Sequence, residues 1–110
     1  MKDQIPLEKT IVNDILKWLK EEGYQFIHKT HGSAYAPAGL PDVVVIDRNG
    51  RFVGLECKRP KIGRLTALQA RVLNKIQDAG GYAAVVCSVA DAQRAMAASE
   101  FGNKGAGRFV

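Results

Sequence analysis

The run Arg51-Phe52-Val53-Gly54-Leu55-Glu56-Cys57-Lys58 has the β-branched and aromatic content of a strand. Side chains alternate faces along a strand, so Glu56 and Lys58 share one face, about 7 Å apart, while Leu55 and Cys57 take the other. Asp42 opens a second strand, Asp42 to Asp47, whose run Val43-Val44-Val45-Ile46 suits burial on both faces. The turn Asp47-Arg48-Asn49-Gly50, with its Asn-Gly signal, joins the two strands as a hairpin. Hairpin pairing and strand twist bring the Asp42 carboxylate near Glu56.

Two carboxylates held a few ångströms apart repel unless a cation lies between them. Oxygen ligands with open water positions suit Mg²⁺ or Mn²⁺. Such an ion activates water and polarises a phosphodiester, and a neighbouring ammonium offsets charge developing on the phosphate. Asp42, Glu56 and Lys58 are therefore a minimal hydrolytic set for a phosphate ester. Taken singly, each has a plainer explanation. An Asp after Pro is commonly a turn or cap residue, and a Glu-x-Lys on a strand is commonly a solvated face.

The elements that must position these groups follow from periodicity. Leu7 to Glu22 is an amphipathic helix: Leu7, Ile11, Val12, Ile15, Leu16, Trp18 and Leu19 fill one half of the wheel. Pro6 stands where it can begin and Gly23 where it ends. Tyr24 to Thr30 is a short strand. The segment 31–42 reads as a loop, with small residues that let a backbone approach a ligand. Arg59 to Arg64 is a basic loop. Thr66 caps a second helix running to about Ala79, closed by Gly80-Gly81. Tyr82 to Cys87 is a buried strand, and Val89 to Ser99 an alanine-rich helix with Ser88 as a cap. The expected order is α-β-β-β-α-β-α, an α/β fold in which a mixed sheet is flanked by helices.

Two polar residues interrupt the apolar arcs of the helices. Glu8 falls near the middle of the first arc and Gln69 within the second. Burying either group without a partner costs about 1–3 kcal/mol, more for a charge, so each needs a hydrogen-bonding or metal destination. A wider solvated rim on each helix is the alternative.

The whole chain bounds the possibilities. Its 110 residues suit one domain with a core of about 7–100 and a loose, Gly-rich tail over 102–110. With 46% hydrophobic and 25% charged residues, gross disorder is not expected. No repeat is found, and no apolar run reaches bilayer length. Sixteen basic residues against eleven acids give a net charge of +5, which suits a polyanion such as nucleic acid. Cys57 and Cys87 sit in apolar runs and read as buried, reduced thiols. With no leader-like N-terminus, a cytoplasmic location is expected. His28 and His31 are not at zinc-finger spacing from the cysteines.

Gly39-Leu40-Pro41-Asp42, then Glu56-Cys57-Lys58, then Gln69 on the next helix resembles the PD-(D/E)xK nuclease superfamily, with its restriction-endonuclease-like core. Glu8 on the first helix, the GxPD form and the short domain resemble the virus-type replication-repair nuclease (VRR-NUC) domain within it. The resemblance covers roughly Leu7 to Cys87. It implies that Asp42 and Glu56 bind Mg²⁺ or Mn²⁺, with the Cys57 carbonyl as a further ligand. Glu8 supports the metal directly or through water, Lys58 positions the attacking water, and Gln69 orients the site. It further implies a DNA endonuclease acting on branched or junction DNA as a homodimer, similar to Holliday-junction resolvases. Lys29, Arg59, Lys61 and Arg64 flank these residues and suit phosphate contact. The compact form suits a phage-encoded protein acting in the host cytoplasm. The competing expectations are a non-catalytic nucleic-acid-binding module, and an interaction protein using the Ala90–Ala98 helix face.

Overall fold

The computed structural model of the chain describes residues 4–31, 37–105 and 107–110. Most of the small-residue stretch in the 31–42 loop lies outside them. The elements are α1 (Glu8–Glu21), β1 (Ile27–Lys29), β2 (Val43–Ile46), β3 (Phe52–Cys57), α2 (Ala67–Asp78), β4 (Tyr82–Val86) and α3 (Val89–Glu100). This is the expected α-β-β-β-α-β-α order.

The four strands form one sheet in the order β1-β2-β3-β4. β1 pairs with β2 and β2 with β3 in antiparallel fashion, while β4 runs parallel to β3 after the α2 crossover. The sheet is therefore mixed. Period-two alternation divides its faces. Val43, Val45, Val53, Leu55, Cys57, Tyr82 and Val86 join Ile11, Val12, Ile15, Leu19, Ala92, Ala95 and Met96 in one core with α1 and α3. Gly54 and Glu56 point to the other face, covered by α2. Ala92 and Ala95 of the alanine-rich helix α3 thus pack inside this chain's own core.

Local chemistry sets the element ends. Thr66 accepts a hydrogen bond from the Gln69 amide, and the Gln69 side chain accepts one from the Thr66 amide, a reciprocal capping box. Ser88 accepts from the Asp91 amide to open α3. In the β2–β3 turn, Asp47 Oδ1 accepts from the Asn49 and Arg51 amides, each at 2.9 Å. Gly50 takes the left-handed conformation there, at φ 83°.

Three expectations change in detail. Of Tyr24–Thr30, only Ile27–Lys29 pairs as a strand. Tyr24 is instead buried beside α3, its hydroxyl donating to Glu100 Oε2 at 2.8 Å and accepting from Arg48 Nη1 at 2.7 Å. Cys57 is buried, but Cys87 is only partly so. Within the C-terminal segment expected to be loose, Gly107, Arg108 and Phe109 meet α2. Asn74 donates to the Phe109 carbonyl and accepts from the Phe109 amide, Gln77 donates to the Gly107 carbonyl, and Arg108 pairs with Asp78. Polar side chains on the outer face of α2 supply these bonds, which composition alone does not reveal.

Candidate active site

Asp42 immediately precedes β2. The last β2–β3 pair is Val43 with Leu55, so one residue further Asp42 stands across from Glu56. Its Oδ2 accepts from the Cys57 amide at 2.8 Å, which fixes the carboxylate against the end of β3. Thr30 closes the approach from the other side. Its amide donates to the Asp42 carbonyl at 2.9 Å and its hydroxyl to the Pro41 carbonyl at 2.6 Å. Gly54 leaves the space that Pro41 occupies: a Cβ there would lie 2.8 Å from Pro41 Cγ and 2.9 Å from Ile76 Cδ1. Thr30 and Gly54 were missed from the sequence. Thr30 ends a short strand and Gly54 interrupts an apolar one, but neither signal says what it touches.

Glu56 sits in β3 with 1% of its surface exposed. Gln69 Nε2 donates to its Oε2 at 3.1 Å, and Lys58 Nζ lies 3.6 Å from the same oxygen. The capping box settles which way the Gln69 amide points, because its oxygen is already engaged with the Thr66 amide. Glu56 Oε1 is buried and has no hydrogen-bond donor among the described residues. Burial pushes the Glu56 carboxyl up to about 8. The adjacent Asp42 carboxylate adds to the rise, and Lys58 partly offsets it. Burial also raises the Cys57 thiol, reinforced by the neighbouring carboxylates, so this cysteine stays protonated and inert.

Glu8 arrives from the opposite layer. It is the first residue of α1 and is exposed, yet its carboxylate joins the other two. One oxygen each from Glu8, Asp42 and Glu56 lies within 4.8 Å of the others. The five expected catalytic residues, Glu8, Asp42, Glu56, Lys58 and Gln69, are thus connected by carboxylate convergence or direct contact. Three converging carboxylates form a donor set suited to a hard divalent cation.

The expected nucleic-acid contacts divide. Lys61 is exposed at φ 69°, and Lys29 ends β1. Arg64 donates to the Lys61 and Gly63 carbonyls within its own loop. Arg59 turns to the chain's own backbone, donating to the Pro6 and Ile5 carbonyls. His28 and His31 are exposed and stand outside the acidic cluster.

No family model and no curated protein matches the chain. Among solved structures it is similar to a "VRR_NUC domain protein" at 16% identity, with 100% of this chain and 99% of that one covered and a TM-score of 0.73. Agreement over both whole chains at this identity is agreement of backbone architecture: the chain has the fold of a VRR-NUC domain.

Proposed function

We propose that the protein is a Mg²⁺- or Mn²⁺-dependent DNA endonuclease. The observation that carries this reading is the convergence of the Glu8, Asp42 and Glu56 carboxylates, with Lys58 beside Glu56 Oε2 and, among the described residues, no donor to the buried Glu56 Oε1. Keeping three carboxylates together unneutralised is unfavourable, and a divalent cation relieves both the repulsion and the orphaned oxygen.

The three carboxylates would hold the ion, with the Cys57 carbonyl as a further ligand from the same strand end. When bound, the ion supplies Lewis acidity and a water of lowered pKa. Lys58 carries a side chain only 13% exposed, so its ammonium acts in a partly desolvated position and stabilises charge building on the phosphate. Gln69 holds Glu56 Oε2 in place and leaves Oε1 free for the ion. Lys29, Lys61 and Arg64 suit backbone phosphates, in keeping with the +5 charge. Branched DNA is the preferred substrate class in this reading. Cutting a four-way junction symmetrically needs two sites related by a two-fold axis, which a homodimer supplies. A strictly monomeric mass at working concentration counts against that assembly.

The test is cleavage of four-way junction, flap, single-stranded and linear duplex DNA with Mg²⁺, Mn²⁺ or chelator, beside Lys58→Ala. Metal-dependent cutting should fall about 100-fold or more in the variant. No cutting of any substrate, with DNA binding equal in both proteins, favours a non-catalytic binding module instead.

A further inference from the structure

The three carboxylates reach one point from three separate segments, and each needs its own register. Glu56 is placed by β3 itself. Asp42 is tied to β3 by the Cys57 amide. Glu8 is the first residue of α1, so its position depends on how the chain enters that helix. A side-chain cap normally fixes such an entry by accepting a first-turn amide. Here the N-cap is Leu7, whose side chain has no acceptor, and no side-chain cap is made among the described residues. Pro6 before it has no amide to donate.

Arg59 stands one residue beyond Lys58. Its Nε donates to the Pro6 carbonyl at 2.9 Å and its Nη2 to the Ile5 carbonyl at 3.0 Å. A planar guanidinium gripping two successive carbonyls fixes both the distance and the direction of the segment leading into Glu8. The chain end that carries Glu56 and Lys58 is thereby joined to the chain end that carries Glu8.

We infer that Arg59 is a positioning residue that sets Glu8 in the carboxylate cluster, rather than a phosphate contact. The inference rests on the metal-site reading above. It deepens that reading by naming the residue that registers the third carboxylate.

The sign of the effect separates this role from plain electrostatics. Both acceptors of Arg59 are neutral carbonyls, so its charge is not cancelled by them. Deleting a cation near an acidic site tightens metal binding if charge alone matters. Deleting an anchor of Glu8 weakens it. Arg59→Lys keeps the charge but loses the two-pronged geometry. It therefore resembles Arg59→Ala if Arg59 positions Glu8, and resembles the parent protein if charge is what counts.

The experiment is Mn²⁺ titration by calorimetry on the parent protein, Arg59→Ala, Arg59→Lys, Glu8→Gln and Glu8→Gln/Arg59→Ala. Amide hydrogen exchange at Ile11 and Val12 is followed in the metal-free proteins. Both Arg59 variants should bind Mn²⁺ about tenfold more weakly. Arg59→Ala should add nothing in the Glu8→Gln background, because the two act as one unit. Exchange at Ile11 and Val12 should rise in Arg59→Ala. Unchanged or tighter Mn²⁺ binding, or effects that simply add in the double variant, overturns the inference and leaves the metal site standing. A parent protein that binds no Mn²⁺ overturns the metal-site reading and this role of Arg59 with it. The exchange data then still report whether Arg59 anchors α1.

Discussion

A carboxyl group at 1% exposure, with one oxygen lacking a donor among the described residues, is difficult to keep ionised. Glu56 shows this directly: burial, and then the Asp42 carboxylate, raise it from 4.5 to about 8. The folded metal-free state therefore holds a proton that the unfolded chain releases near 4.5. Stability linked to Glu56 is present below that value and is lost as pH rises toward about 8. Between those limits the melting temperature of the metal-free protein should fall by on the order of 10 °C or more. Glu56→Gln should flatten that slope and abolish the stabilisation by millimolar Mg²⁺ that the proposed metal site predicts for the parent protein. Thermal melts at several pH values, with and without Mg²⁺, check both. A parent slope unchanged in the variant would assign the effect elsewhere. Asp47 behaves in the opposite sense. Burial alone would raise it, but hydrogen bonds from the Ser99 hydroxyl and the Arg51 and Asn49 amides hold it below its ordinary 3.8. Its contribution is present above that value and fades as pH falls below it, through the lowered value of the folded state.

At the scale of elements, the site is assembled where short backbone devices meet. Gly54 lies in the middle of β3 and admits Pro41, the residue before Asp42. Gly54→Ala forces Pro41 or Ile76 to move, with an expected stability loss of about 1–3 kcal/mol. Because Pro41 and Asp42 move together, Mn²⁺ affinity should fall as well; urea unfolding paired with calorimetry tests both. Stability loss without a change in affinity would mean that Ile76 alone gives way. The α2 cap has a double role. Thr66→Ala removes one half of the capping box and should cost about 1 kcal/mol. It should also loosen the Gln69 amide that contacts Glu56. A urea midpoint that does not move would show the box to be dispensable.

At the scale of the molecule, Gly107, Arg108 and Phe109 tie the end of the chain to α2. Asn74 pairs with both backbone groups of Phe109. Asn74→Ala removes two hydrogen bonds and should lower stability by about 1–2 kcal/mol, read as a shift in urea midpoint at constant slope. Phe109 contacts the outer face of α2, away from the carboxylate cluster, so on the proposed function DNA cleavage by the folded variant should be unchanged. No helix among the described residues is long and apolar enough to cross a membrane.

Much of this was legible without coordinates, for a physical reason. Period-two alternation is local, so Glu56 and Lys58 had to share a face, and they do. The break of helical period at Gln69 marked a group with a polar destination, which is Glu56. Thr66 and Ser88 are short side chains reading their own next turns, so the starts of α2 and α3 followed from the chain itself. What only the tertiary structure decided are contacts between distant segments. The hold of Thr30 on Pro41, the room left by Gly54, the clasp of Asn74 on Phe109 and the grip of Arg59 on residues more than fifty positions away are of this kind. A basic residue in a basic loop carries the same signal whether it faces a phosphate or a carbonyl. The arrival of the segment before α1 beside the end of β3, which no local pattern encodes, gives Arg59 two backbone carbonyls to meet.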